Sequence, residues 1–150
     1  MPNSYTCLHY HLIFATKNRK PFLQPELRDR LHEYLGGIIR DNQGRLLAAG
    51  GMADHVHLLI GLHPGTALSD LLCQVKSSSS KWIHETFAGL RGFGWQDGYG
   101  AFSVSSSALE QVRRYIAGQE EHHRTVSFQE EFIEFLTRHN VPYDERYIWD

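Results

Sequence analysis

Two histidines, His55 and His57, stand two residues apart in the segment GGMADHVHLLIGL, residues 50–62. The segment alternates as a β-strand does, so both imidazoles share one face and the apolar residues between and after them occupy the other. Side chains at this spacing lie about 6.6 Å apart along a strand, and from there both can reach one metal ion. The alternative is a pair of polar residues on the wet face of a half-buried strand.

A second pair with the same spacing, His9 and His11, occurs in YTCLHYHLIFAT, residues 5–16. Ten histidines among 150 residues invite a metal hypothesis. Residue spacing alone does not choose between the two pairs.

A tyrosine and a glutamine, Tyr115 and Gln119, are four residues apart in a helical pattern and therefore lie on one helix face. Arg113 and Arg114 flank the tyrosine, and His122 and His123 follow the glutamine. Because Val112 and Ile116 are apolar, a tyrosine at the edge of the core is the alternative.

Basic residues occur in local groups, although the formal net charge is −2. That charge excludes a uniformly basic coat, but a local basic stripe is enough for nucleic-acid binding. Phosphate contact and a solvated surface are both open for these side chains. The candidate DNA contacts are Lys17, Arg19, Lys20, Lys76, Lys81, Arg113 and Arg114.

The loop over residues 88–100 interleaves five glycines with Phe93, Trp95 and Tyr99. Aromatic rings on a flexible backbone suit stacking against unpaired bases. They equally suit packing of the loop onto the core.

The elements that must position these residues follow the order β-α-β-β-α-β and then two helices. This order predicts an α+β fold, the ferredoxin-like split βαβ arrangement, with an antiparallel sheet, helices on one face and additional C-terminal helices. The predicted strands cover residues 5–16, 45–49, the histidine segment and 101–106, and the helices cover residues 24–42, 68–87, 108–123 and 128–139. A hairpin that runs through Gly50 and Gly51 to Asp54 is predicted to join the second and third strands.

Length and composition predict one domain over residues 1–150. No apolar run approaches the roughly 20 residues that span a bilayer, so no membrane association is expected. Cys7 and Cys73 are far apart and lack metal or redox spacing, which favours a reducing cytoplasm.

The sequence resembles the small single-tyrosine transposases of bacterial insertion sequences. These belong to the histidine–hydrophobic–histidine nuclease group, as do the tyrosine transposases associated with repeated palindromes. The resemblance covers most of the chain in the right order. Its matching segments are YHLIFATKNRKPFL, GGMADHVHLLIGL, KSSSSKWI, WQDGYGAFSVS and YIAGQEEHH.

The resemblance implies a role for each candidate residue. It selects His55 and His57 as the metal-binding pair, Tyr115 as the nucleophile and Gln119 as the third metal ligand. The implied metal is Mg²⁺ or Mn²⁺, and the implied substrate is single-stranded DNA with hairpin ends, cut through a 5′-phosphotyrosine. It also implies a homodimer in the bacterial cytoplasm that associates with the nucleoid when bound to DNA.

Two other functions stay open at this stage. A domesticated relative would process chromosomal palindromes without mobilising itself. A non-catalytic, ferredoxin-like domain would bind single-stranded nucleic acid and form no covalent adduct with it.

Overall fold

A computed structural model describes residues 4–150, so residues 1–3 of the predicted domain lie outside the described residues. Three short 3₁₀ turns, at Lys17–Arg19, Ala88–Leu90 and Ser106–Ala108, join the main elements. The strands are β1 (His9–Ala15), β2 (Arg45–Met52), β3 (His55–Gly61) and β4 (Gly100–Ser103). The helices are α1 (Pro25–Asp41), α2 (Leu68–Thr86), α3 (Leu109–Ala117), α4 (Gln119–His122) and α5 (Phe128–Arg138).

The four strands form one antiparallel sheet in the order β2-β3-β1-β4. This is the strand order of a split βαβ fold, and the predicted fold class is confirmed. The register places His57 of the central strand β3 between Ile13 of β1 and Gly50 of β2.

The alternation along β3 divides its side chains between two faces of the sheet. Val56, Leu58 and Ile60 are fully buried in the main core, which α1 and α2 complete. The opposite face carries the histidines, together with a smaller apolar cluster built around Ile13 of β1 and Phe128 of α5.

The C-terminal helices cover this histidine face, and α3 approaches the sheet very closely. A Cβ atom at Gly50 would lie 2.4 Å from the carbonyl oxygen of Ile116. Only glycine allows a helix backbone to come this near to a strand. The close approach brings Tyr115, the residue before Ile116, to the histidine face.

Strands β1 and β4 are shorter than predicted, and two further differences bear on the site. The hairpin connection was expected to run from Gly50 to Asp54, but β2 continues to Met52 and the turn is confined to Ala53 and Asp54. The predicted helix over residues 108–123 is interrupted at Gly118, which separates α3 from α4. Among residues 4–150, no helix is both long and apolar enough to cross a membrane.

Candidate metal centre and nucleophile

His55 and His57 are buried on the sheet, with relative exposures of 1% and 0%. The Nδ1 atom of each ring has a hydrogen-bond partner. His55 Nδ1 lies 2.7 Å from Asp54 Oδ1, and His57 Nδ1 lies 2.8 Å from Nε2 of the buried His11. Partners at Nδ1 fix the orientation of a metal-binding imidazole and leave its Nε2 atom for the ion.

The two Nε2 atoms converge on Glu131, a carboxylate of α5 that is 1% exposed. Its Oε1 atom lies 2.9 Å from His57 Nε2 and 3.6 Å from His55 Nε2. His123 Nε2 lies 3.2 Å from the same oxygen. One ligand atom from each of these four residues falls within 4.8 Å of the others, which is the arrangement of a small metal site.

Gln119 joins this cluster from the first turn of α4. Its Oε1 atom accepts hydrogen bonds from Nε2 of His55 at 3.0 Å and of His123 at 2.9 Å. Its Nε2 atom donates to Glu131 Oε2 at 3.0 Å. The amide oxygen therefore faces the same space as the imidazole nitrogens, as expected of a third ligand.

The protonation states in this cluster follow from burial and from Glu131. Burial would raise the pKa of Glu131, but hydrogen bonds from His123 and His57 hold it far below its usual value. Burial lowers the pKa of His57 to about 4, with Glu131 opposing the shift. For His123, burial is outweighed by the hydrogen bond to Glu131, so its pKa is raised. The neutral His57 imidazole has the form that metal binding requires.

Tyr115 lies beside this cluster at the end of α3 and is partly buried. Its hydroxyl donates a hydrogen bond to Glu131 Oε2, and the phenol oxygen lies 3.3 Å from His122 Nε2. Burial and the adjacent Glu131 charge raise the pKa of the phenol well above its ordinary value. The phenol is therefore held in place but kept protonated.

Arg113 and Arg114 do not supply the positive charge that was expected beside the phenol. Both are exposed and approach Glu110 on their own helix, at 3.7 Å and 3.5 Å. The charged group that accepts the hydrogen bond from the Tyr115 hydroxyl is the Glu131 carboxylate, which disfavours the phenolate.

The donor set fits a divalent cation. It offers imidazole nitrogens, a carboxylate and an amide oxygen around one point. Oxygen ligands suit Mg²⁺ and Mn²⁺, whereas imidazoles favour later transition metals. The mixed set of nitrogen and oxygen donors fits a divalent metal without selecting one.

The remaining candidate DNA contacts lie outside this cluster. Lys17, Lys20 and Lys81 are exposed. The Arg19 guanidinium lies over the ring of Trp149, 5.4 Å from its centroid. Lys76 is partly buried and donates to the carbonyl oxygens of residues 96 and 98, which anchors the glycine-rich loop to α2.

Sequence reasoning missed Asp54, His123 and Glu131 as parts of the site, and it considered His11 only as half of a rival metal-binding pair. The sequence does indicate that Glu131 is unusual, because it falls between Phe128 and Phe135 on the apolar face of α5. A carboxylate on a buried stripe is rarely retained without a partner. The role of His11 as a partner of His57 was not predictable, since their contact arises only from strand pairing.

Comparison with known proteins decides the family. The family model described as "Transposase IS200 like" matches residues 4–119. This chain belongs to the IS200-like transposase family. Transposases of this family are DNA strand transferases that act in DNA recombination, and the buried histidine cluster agrees with their metal-binding character. The matched segment ends at Gln119, so His123 and the whole of α5, including Glu131, lie beyond it.

Individual IS200-like relatives agree with this assignment. The ISDra2 transposase TnpA of Deinococcus radiodurans is 31% identical over 117 residues, which cover 75% of this chain and 84% of that protein. The transposase for insertion sequence element IS200 of Salmonella typhimurium is 30% identical over 82 residues, which cover 55% of this chain and 54% of that protein.

Two solved structures share the fold. A crystal structure of a Deinococcus radiodurans R1 protein described as a transposase superposes with a TM-score of 0.66 at 32% identity, covering 79% of this chain and 95% of the other. A REP-associated tyrosine transposase bound to a REP hairpin gives a TM-score of 0.61 at 17% identity, covering 84% and 74%. At that identity the second similarity shows the fold alone.

Proposed function

We propose that this transposase cuts and rejoins single-stranded DNA at hairpin-bearing ends through a 5′-phosphotyrosine on Tyr115. The observation that carries the proposal is the meeting of the phenol and a metal-binding imidazole on one carboxylate. Glu131 accepts the hydrogen bond from the Tyr115 hydroxyl on Oε2 and faces His57 Nε2, 2.9 Å away, with Oε1. The nucleophile and the metal-binding imidazoles thus belong to a single site of one domain.

His55, His57 and Gln119 would hold a divalent ion, Mn²⁺ or Mg²⁺, with Glu131 and His123 as further ligands. Such an ion, when bound, polarises a phosphate oxygen as a Lewis acid and offsets the Glu131 charge that disfavours the Tyr115 phenolate. Asp54 and His11 hold the two β3 imidazoles in the orientation that this requires.

In the cleavage step the Tyr115 oxygen attacks the scissile phosphorus. A bond forms between phosphorus and the phenol oxygen, and the bond from phosphorus to the 3′ oxygen breaks. The phenol proton leaves along the hydrogen bond to Glu131, and the departing 3′ oxygen takes up a proton to become a 3′-hydroxyl. A 3′-hydroxyl can later attack the phosphotyrosine and release Tyr115, so rejoining requires no nucleotide cofactor.

The choice of substrate rests on the family and on the hairpin-bound relative. A REP-associated tyrosine transposase with the same fold binds a REP hairpin. The exposed lysines Lys17, Lys20 and Lys81, with Arg19, Lys76, Arg113 and Arg114, are the proposed contacts to the DNA backbone. Paired element ends beside the gene would indicate a mobile transposase, whereas scattered palindromes elsewhere would indicate a domesticated relative.

We further propose a homodimer acting in the cytoplasm on nucleoid DNA. Strands β2 and β4 form the two edges of the sheet, and an open edge is a template for pairing. A dimer would have a mass of about 35 kDa, twice the 17.3 kDa of one chain. Light scattering that gives 17 kDa at every concentration would contradict this part of the proposal.

The activity is tested by incubating the protein with hairpin-bearing single strands from the DNA that flanks its gene. With Mn²⁺ we expect an SDS-resistant protein–DNA band, and with a chelator or with His57→Ala we expect none. A non-catalytic binding domain would shift the DNA in a native gel yet give no such band under any condition.

A further inference from the structure

A cavity of about 400 Å³ lies beside the metal centre, between the end of β1, the glycine-rich loop, α5 and the C-terminal segment. We call it the tail cavity. Cavities that bind small ligands measure about 300–1,000 Å³, so it can hold one heterocyclic base. Residues that follow the family-matched segment form two of its walls. The lining residues used below are Arg19, Asp97, Tyr99, Phe128, Tyr147 and Trp149.

The tail cavity and the metal centre share a wall. Phe128 is buried and stacks on the His55 ring, with centroids 4.5 Å apart and planes at 28°. Phe128 also lies 6.4 Å from the ring of Trp149. A ligand in the cavity therefore lies one aromatic ring away from a proposed metal ligand.

The lining has the chemistry of a base-stacking site. Tyr99 and Tyr147 are 40% and 61% exposed, so two large rings at the cavity remain open to solvent. The Arg19 guanidinium, 5.4 Å from the Trp149 centroid, adds a planar cation to them. Aromatic faces with arginine stack with bases in proteins that bind single strands.

The turn that presents Arg19 is strained. Asn18 and Arg19 have φ angles of 56° and 54°, a conformation that is uncommon for residues with a Cβ atom. A hydrogen bond from the backbone N–H of Asn18 to Gln96 Oε1 at 3.0 Å stabilises the turn. Gln96 in turn donates to the Trp149 carbonyl oxygen at 3.2 Å. The strained turn and the tail are thus tied together at the cavity.

We propose that the tail cavity binds one unpaired nucleobase of the DNA strand, adjacent to the phosphate that is cut. This inference rests on the proposed function. The Asp97 carboxylate in the lining accepts hydrogen bonds but donates none. Cytosine and adenine carry exocyclic amino groups that can donate to it, as cytosine does to Asp in known complexes. Thymine offers carbonyl oxygens at its corresponding edge and is expected to bind less well.

The test compares binding of the fluorescent oligonucleotides dC8, dA8 and dT8 by anisotropy in a chelator, which separates binding from cleavage. Stacking of one base contributes about 1–3 kcal/mol, so Trp149→Ala and Tyr147→Ala should each weaken dC8 binding about fivefold or more. Asp97→Asn should remove the preference for dC8 over dT8. Tyr143→Ala is the matched control, because this tail tyrosine does not line the cavity and should bind as the wild type does.

The outcomes separate this inference from the proposed activity. Wild-type affinity for dC8 in both Trp149→Ala and Tyr147→Ala, or equal dC8 and dT8 binding by the wild type, would overturn the base-binding cavity even if DNA is cleaved. A clear loss in both variants without any covalent adduct by the wild type would support the cavity and contradict the cleavage mechanism. Tyr147→Ala guards against misfolding, since its ring is mostly exposed.

Discussion

His11 Nε2 lies 2.8 Å from His57 Nδ1, and both rings are buried. One nitrogen must donate and the other must accept. When His57 Nε2 donates to Glu131, His57 Nδ1 accepts the hydrogen bond from His11. When an ion binds His57 Nε2, the proton moves to His57 Nδ1, and His11 becomes the acceptor. The β1 histidine that the sequence presented as a rival metal ligand is therefore the positioning partner of the β3 histidine.

Replacing His11 should weaken the metal site without removing a ligand. Loss of a hydrogen-bond partner behind a metal-binding imidazole commonly costs about 10–100-fold in metal affinity. We expect a loss of this size for Mn²⁺ in His11→Phe, measured by calorimetry or electron paramagnetic resonance. His9→Phe makes the same change outside the cluster and should bind Mn²⁺ normally. Equal affinities for the two variants would remove His11 from the site.

The same pair predicts how stability depends on pH in the metal-free protein. The pKa of His11 is lowered from 6.5 to about 3, first by burial and then by the neighbouring His57. Burial lowers the pKa of His57 from 6.5 to about 4. Below pH 6.5 the unfolded chain binds these protons and the folded chain does not. The free energy of unfolding therefore falls as the pH falls from about 6.5 towards 4.

This dependence can be measured by urea unfolding at several pH values between 4 and 6.5. Each such histidine contributes about 1.4 kcal/mol per pH unit to the slope. His11→Phe should lower the slope by about that amount, whereas His9→Phe should leave it unchanged. A slope in His11→Phe as steep as in the wild type would show that His11 is not held neutral by the fold.

Tyr115→Phe should abolish the covalent adduct and little else. The substitution keeps the ring and removes only the hydroxyl that contacts Glu131. Folding and binding to single-stranded DNA should persist, and mass spectrometry of the wild-type adduct should place the DNA on Tyr115. An adduct on Tyr99 or Tyr143, or undiminished cleavage by the variant, would show that another phenol attacks.

Glu131→Gln should show whether this carboxylate does more than fill space. The amide preserves the shape but removes the charge from among the histidines, so Mn²⁺ affinity and adduct formation should each fall at least about tenfold. Glu130→Gln is the control, because Glu130 is exposed on the same helix. If the two variants behave alike, the metal relies on the histidines and Gln119 without Glu131.

The position of α3 predicts that Tyr115 acts on the metal site of its own chain. Ile116 is buried against β2, and the phenol already contacts Glu131 of the same chain. A mixture of Tyr115→Phe and His57→Ala chains should therefore recover no adduct-forming activity. Recovery of a quarter or more of the wild-type activity, as shared sites would allow, would mean that α3 moves to a partner.

The predictable parts of the molecule are those that follow from the spacing of apolar and polar residues along a single strand or helix. Alternation placed His55 and His57 on one face of β3, and helical spacing brought Tyr115 near Gln119. The partners Glu131 and His123 come from residues far along the chain that reach β3 only through packing of α5 and of the turn before it. The glycines at 50 and 51 were misread because turns and close helix approach favour the same residue.

Gly50 has a consequence for how this protein can vary. Its missing side chain lets the Ile116 carbonyl oxygen approach β2 closely, and Ile116 follows the attacking tyrosine. The distance of the phenol from the histidines therefore depends on the absence of a Cβ atom at Gly50 of β2. A larger residue at position 50 would push α3 and its tyrosine away from the histidines, so we expect activity to require glycine there. Surveys for active relatives can require glycine at this strand position alongside the tyrosine.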